Sequence, residues 1–369
     1  VEEKDLSSIY MPWAKLRSHA KYNLATSGVA HWKLRDLPVQ IENLELSGPS
    51  FYGFEPLQNA LSNHCGVPAN RIVATGGTSM ANYLALATLV KPGDEILIEH
   101  PTYELILAAA RQIGATVTRF CRTHESGFAI DPDAVKRAVT PRTKLIVVAN
   151  LHNPSSALAD ESTIRALGEI GPRVLVDEVY LDAAFDLAPK SAAHFGDQFI
   201  VTSSLTKVYG LSGLRCGWVV AEPQLAEAMW RLNDLIGVIP AHTAELISVI
   251  AFSELSRIAQ HVRQRLDCNR TILHRFLDSR PDLDAPRIPY GTVSFPRVTP
   301  PSRAGAGTSA ERSVQSLCKI LRDKYETTVV PGDYFEMPDH IRIGIGGDSE
   351  PLQEGLHRLG QALDDMMEN

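Results

Sequence analysis

Ser204-Leu205-Thr206-Lys207-Val208-Tyr209-Gly210-Leu211-Ser212-Gly213-Leu214-Arg215-Cys216-Gly217 is the stretch on which the reading of this chain turns. A serine stands three residues before a lysine, and an arginine eight residues after it, with glycines between. A lysine at a buried edge condenses with an aldehyde to give a Schiff base. Ser204 and Arg215 offer a hydroxyl and a planar guanidinium fork to a phosphate. Gly210 and Gly213 let the backbone approach a ligand closely. The stretch therefore suits an aldehyde that carries a phosphate. Ser-x-x-Lys alone also occurs in penicillin-binding enzymes, and a lysine at a strand end is commonly ordinary. Arg215 and the glycines at these spacings weigh against both readings.

Upstream of the lysine the chain alternates in a regular way. Arg71–Thr75, Glu95–Glu99, Thr116–Cys121, Lys144–Leu151, Arg173–Val179, Phe199–Leu205 and Gly217–Ala221 are short apolar runs rich in Val and Ile. Longer amphipathic segments such as 81–90 and 105–113 lie between most of them. This alternation predicts an α/β chain with a largely parallel sheet covered by helices on both faces. Ligands of such sheets bind at the carboxyl ends of the strands, where Lys207 falls. Thr75-Gly76-Gly77-Thr78-Ser79-Met80 ends one strand and opens a helix, which makes it a candidate anion site through Gly77, Thr78 and Ser79. Taken alone it also reads as a plain helix cap.

Beyond Ala221 the pattern changes. Leu225, Met229, Leu232 and Ile236 recur at helical spacing, and helical patterning resumes through 244–250 and 258–277. Strand-like pieces follow at Thr292–Phe295 and Thr327–Val330. Leu352, Leu356, Leu359 and Leu363 mark a closing amphipathic helix with Ser349 as its expected N-cap. Thr299–Ser309 is rich in Pro, Gly, Ser and Ala and is expected to be a solvated loop. The domains expected are a large one over residues 46–240 and a smaller α+β one over 241–369, joined by residues 1–45.

The 369 residues are 44% hydrophobic and 21% charged, which is ordinary globular composition. A formal charge of −7 without a basic run argues against a nucleic-acid binder. The five cysteines are scattered and none forms a CxxC pair, so a reducing cytoplasm is expected. No run approaches a membrane span, and Val1–Tyr10 has no apolar signal core. No His/Cys/Asp/Glu cluster has metal-ligand spacing. His100 and His152 are expected to be structural.

The Lys207 run resembles the cofactor-lysine motif of the class I/II aminotransferases at nearly every position, and further motifs match in the family's order. The resemblance implies pyridoxal 5′-phosphate (PLP), held by Lys207 as an aldimine. It implies the type I PLP-dependent transferase fold: a mostly parallel, seven-stranded large domain, a smaller α+β domain and a homodimer with shared active sites. Asp177, at the end of a strand-like run, is the carboxylate that would keep the ring nitrogen protonated. Tyr180 would donate to the ring's phenolate oxygen. An Asp-Glu pair after a strand also suits magnesium in a nucleoside triphosphatase, but no GxxxxGK[ST] loop accompanies it. Asn153, in Asn153-Pro154-Ser155-Ser156, stands where the family has Asn-Pro-Thr-Gly, and would touch both the phenolate oxygen and the substrate carboxylate. Serine at 156 tolerates the positive φ open to glycine poorly. Tyr103 matches the family's stacking aromatic. Arg342 resembles its carboxylate-binding arginine, a residue type whose fork suits a planar anion. Gly28 would add a backbone N–H to the same carboxylate. Tyr52 matches a tyrosine that reaches the phosphate in the neighbouring subunit.

What the resemblance implies is an aminotransferase working between an L-α-amino acid and a 2-oxo acid, with Lys207 as general acid/base. A lyase or cyclase of the capreomycidine synthase type is the alternative. The segment 23–36, with its Ser27-Gly28-Val29 core and the following Leu34-Arg35, resembles that group. A non-enzymatic regulator on the same fold would need a DNA-binding domain, for which there is no room before residue 20.

Overall fold

The computed structural model describes residues 7–299 and 310–368. All seven apolar runs pair into one sheet. Its order is Ile72–Gly76, Cys216–Val220, Phe199–Ser204, Arg173–Asp177, Thr143–Ala149, Glu95–His100, Thr116–Cys121. Cys216–Val220 runs antiparallel to both its neighbours and every other pairing is parallel. The strands read as continuous apolar runs because helices cover both faces, and the central residues Val147, Leu175 and Ile200 are fully buried.

Two runs stop two residues earlier than their composition suggests. The strand expected to reach Leu151 ends at Ala149, because the Asn150 side chain turns the chain by exchanging two hydrogen bonds with the backbone of Ala159. The run expected to reach Val179 ends at Asp177, whose carboxylate accepts from Val179 N at 3.1 Å. One buried ion pair ties three strand ends beneath the ligand side of the sheet. Glu99 accepts from Arg122 Nη1 at 2.7 Å and from Ala149 N at 2.7 Å.

The helix Thr78–Leu89 packs on the strands Ile72–Gly76, Phe199–Ser204 and Cys216–Val220. After the sheet, the helix Leu255–Asp278 packs against Ser349–Glu368, and that helix against Ala310–Tyr325. They accompany a three-stranded antiparallel sheet ordered Val293–Ser294, Ile341–Gly344, Val330–Pro331. Ser349 is the first residue of its helix, not the expected cap, and its hydroxyl donates to Asn269 Oδ1 at 2.6 Å. The expected loop at Thr299–Ser309 lies, apart from Thr299, outside the described residues.

Tyr22–Asn23 pairs in parallel with Thr327–Thr328. From there the chain crosses to the large sheet, and Val29 N donates to Lys207 O at 2.9 Å. Among the described residues no helix is long and apolar enough to cross a membrane.

Candidate active site

Nine of the residues singled out in the sequence line one cleft: Thr78, Ser79, Tyr103, Asn153, Asp177, Tyr180, Ser204, Lys207 and Arg215. They come from the carboxyl ends of different strands, as the architecture requires. Gly77, Gly28 and Arg342 border it, and Tyr52 does not.

Asp177 is buried at the end of its strand. Asn82 Nδ2 donates to its Oδ2 at 2.8 Å, and Thr202 Oγ1 donates to Asn82 Oδ1 at 2.6 Å. Burial pushes the carboxyl up to about 6, while Asn82, Val179 N and the Lys207 cation pull it back. The neighbouring Glu178 turns away and accepts from Ala192 N. Asn82 and Thr202 were not singled out in the sequence. Asn82 does carry a signal, being a polar residue one turn after Thr78 in an otherwise apolar helix.

Across the cleft is a cradle of anion donors. Gly77 has φ +95° at the N-terminus of the helix Thr78–Leu89, and a Cβ there would stand 2.3 Å from Arg215 Nη2. Only glycine leaves the guanidinium its place, where Arg215 Nη2 donates to Gly76 O at 2.8 Å. Arg215 itself takes a left-handed backbone, φ +50°. Thr78 Oγ1 donates to Ser204 Oγ at 2.8 Å, and Thr206 Oγ1 is buried without a partner among the described residues. A helix N-terminus, three hydroxyls and a guanidinium thus line one part of the cleft, a donor set suited to a phosphate.

The Lys207 amine lies between these groups. Burial lowers its pKa, helped by Arg342 and Arg215 and opposed by Tyr10 and Asp177. Its Nζ donates to Ser27 Oγ at 3.2 Å, and Tyr180 OH donates to the same oxygen at 2.8 Å. Gly28 lies over the lysine backbone, and a Cβ there would be 3.3 Å from Lys207 O. Tyr103 covers the cleft on the side of the N-terminal helix Tyr10–Leu16, with Met11 beside its hydroxyl.

Arg342 is almost fully buried. Its Nη1 donates to Asn153 Oδ1 at 2.9 Å, and its Nη2 to Ala25 O at 3.0 Å and Tyr10 OH at 3.2 Å. Its Nε has no partner among the described residues. The loop carrying Asn153 resolves the serine question. Ser156 takes φ +65° and holds it by donating to Val293 O at 2.8 Å, while Ser156 N donates to His152 O at 2.7 Å. Those bonds offset the roughly 1–2 kcal/mol that a left-handed conformation costs a residue with a Cβ. His152 is structural as expected: it is buried, bonded to Ser155 and Pro101 O, and held neutral by burial.

Tyr52 is half exposed on the outer surface, where its hydroxyl donates to Asp234 at 3.0 Å and accepts from Arg231. It takes no part in its own chain's cleft.

The donor set fits an aldehyde bearing a phosphate and a basic ring. It offers one buried amine, a separate anion cradle, a buried carboxylate and an aromatic cover. Residues 39–359 match the family model described as aminotransferase class I and II. Capreomycidine synthase of Streptomyces vinaceus is 29% identical over 361 residues, covering 93% of this chain and 90% of that protein. Arginine–pyruvate transaminase of Pseudomonas aeruginosa is 28% identical, covering 79% of this chain and 75% of its own. A PLP-dependent aminotransferase from Streptococcus suis superimposes with a TM-score of 0.86 at 26% identity, covering 94% of each chain.

Proposed function

Because this chain belongs to the class I and II aminotransferase family, whose members depend on PLP, we propose that it moves an amino group between an L-α-amino acid and a 2-oxo acid. The observation that carries this reading is the buried Lys207 amine set between the Asp177 carboxylate and the Gly77–Arg215 cradle. Lys207 would anchor the cofactor, Gly77, Thr78, Ser79, Ser204 and Arg215 would hold its phosphate, and Tyr103 would cover the ring. Bound there, the cofactor supplies the electron sink for the charge left behind when the α-proton departs. Asp177 supplies the negative charge that keeps the ring nitrogen protonated. Tyr180 and Asn153 fix the ring's phenolate oxygen.

Arg342, with Asn153 and Gly28, would receive the substrate carboxylate. Lys207, once its amine is free, takes the α-proton and returns it. Its lowered pKa leaves more of the amine unprotonated near neutral pH than an exposed lysine would offer. The test is to give the cofactor-loaded protein a panel of amino acids. Transamination yields the matching 2-oxo acid and the amine form of the cofactor.

The second reading, elimination and cyclisation, is favoured by the Ser27-Gly28-Val29 segment and by the 29% identity to a capreomycidine synthase over 93% of the chain. It would instead yield a cyclised product with no amine form of the cofactor.

Arg342→Ala should raise the Michaelis constant for the amino acid at least roughly tenfold, about 1.4 kcal/mol, while the affinity for PLP stays within twofold. The reason is separation, since the phosphate cradle and Arg342 sit on different elements. Binding titrations of cofactor and steady-state kinetics check it. An equal loss of both affinities marks Arg342 as structural, which its bonds to Asn153, Ala25 and Tyr10 make a real contest.

A homodimer completes the reading. Ile41, Leu46, Phe51, Leu235, Val238 and Ile239 are all at least half exposed, and the Tyr52–Asp234 bond joins the two segments that carry them. Such a grouping suits a second copy of the chain. Tyr52 would then serve the neighbouring cleft. Mixing Lys207→Ala with Tyr52→Ala subunits should rebuild one complete site per hybrid dimer and restore turnover. Hybrids no better than the Tyr52→Ala parent would count against the shared site.

A further inference from the structure

We propose that Ser27 is a positioning residue that holds the free Lys207 amine beside Tyr180. The inference rests on the assignment of Lys207 made above. It starts from a contact that no role given so far uses: one buried hydroxyl lies 3.2 Å from Lys207 Nζ and 2.8 Å from Tyr180 OH.

The backbone that carries the hydroxyl is held on both sides. Thr292 Oγ1 donates to Ser27 O at 2.8 Å. Just before it, Ala25 O accepts from Arg342; just after it, Val29 N donates to Lys207 O at 2.9 Å. Gly28 has no side chain, so this segment lies directly on the lysine backbone. The Ser27 oxygen is thus fixed relative to the main chain of the lysine it touches.

A lysine amine on four methylenes does not hold a position unaided. Its rotamer freedom is worth roughly 2 kcal/mol, and proton transfer requires the amine within hydrogen-bond reach of its target. To carry the α-proton the Lys207 amine has to be free. In that state its nearest fixed partner is Ser27. The Ser27 hydroxyl oxygen has two lone pairs, one for the amine and one for the phenol. Nζ and Tyr180 OH therefore meet at one fixed acceptor. The oxygen also accepts from the protonated amine, which favours the charged form. Removing it should make Lys207 easier to deprotonate.

The test compares Ser27→Ala with Ser27→Thr, which keeps the hydroxyl. In the cofactor-free protein, competitive acetylation across pH, read by mass spectrometry at Lys207, gives the half-point of its titration. Ser27→Ala should lower that half-point by roughly half a pH unit or more, and Ser27→Thr should hold it near wild type. In the loaded enzyme, Ser27→Ala should reduce kcat about tenfold with KM changed less than twofold, and the isotope effect of α-deuterated substrate should rise. Ser27→Thr should recover most of kcat. An unmoved half-point with kcat near wild type overturns the proposal. So does a fall in kcat that the hydroxyl-bearing variant shares. If reductive trapping marks a different lysine, the parent assignment fails instead, and the acetylation half-point still decides whether Ser27 governs the Lys207 amine.

Discussion

Lys207→Ala should lower turnover by at least about three to four orders of magnitude, the upper end of what a positioned acid/base group supplies. The loss would combine the two roles proposed for one amine, as anchor of the cofactor and as carrier of the α-proton. Folding should be spared. The Lys207 side chain makes one hydrogen bond, to Ser27, among the described residues, and its charge is disfavoured by burial and by the Arg342 and Arg215 guanidinium groups. The melting temperature of the cofactor-free variant should therefore match or exceed that of wild type. Borohydride reduction of the loaded wild-type protein, followed by peptide mapping, should place the pyridoxyl tag on Lys207. A tag on another lysine, or a variant that turns over within tenfold of wild type, would sink the assignment.

Asp177→Ala should cost about 3 kcal/mol or more in barrier, some two orders of magnitude in rate, because breaking a buried charge pair costs roughly 3–5 kcal/mol. The pH dependence carries a sharper signature. In the cofactor-free chain the Asp177 carboxyl is pushed up to about 6 by burial. Pairing with a protonated ring requires the carboxylate, so PLP affinity should weaken as pH falls below about 6. Asp177→Asn should remove that component and leave the part due to the phosphate.

The stability of the cofactor-free chain should move the other way. The folded pKa lies above the ordinary value of 3.8, so Asp177 contributes stability below about pH 4. That contribution is lost as pH rises through about 6. Asp177→Asn should therefore raise the Tm of the cofactor-free protein at pH 8, and much less at pH 4. Wild-type turnover in Asp177→Ala, with PLP bound, would refute the role.

Behind the Asp177 carboxylate stand Asn82 and Thr202. These residues hold Asp177 in place through bonds of 2.8 and 2.6 Å. They make the carboxylate a fixed charge, which is the property an ion pair with a ring nitrogen demands.

Much of this was legible from the chain alone. The seven strands show because each is buried on both faces, which forces a continuous run of Val, Ile and Leu that no surface segment would carry. Asp177, Lys207, Gly77 and Asn153 show because an α/β sheet presents its ligand groups at strand ends, so each sits next to a recognisable local signal. What stayed hidden depends on contacts between distant positions. Ser27 meets Tyr180 and Lys207 across more than 150 residues, and Asn82 meets Asp177 across 95. Nothing local marks Cys216–Val220 as the one reversed strand; its direction follows from which neighbours it must pair with. Ser156 reads as unfit for a left-handed turn, yet takes it because Val293 O stands where its hydroxyl can reach. Periodicity and short motifs are written in neighbouring residues, so the sequence by itself determined the elements and the chemistry each carries. Register, sheet order and the partners of each cleft side chain are settled by packing between elements far apart in the chain, and only the tertiary structure decided those.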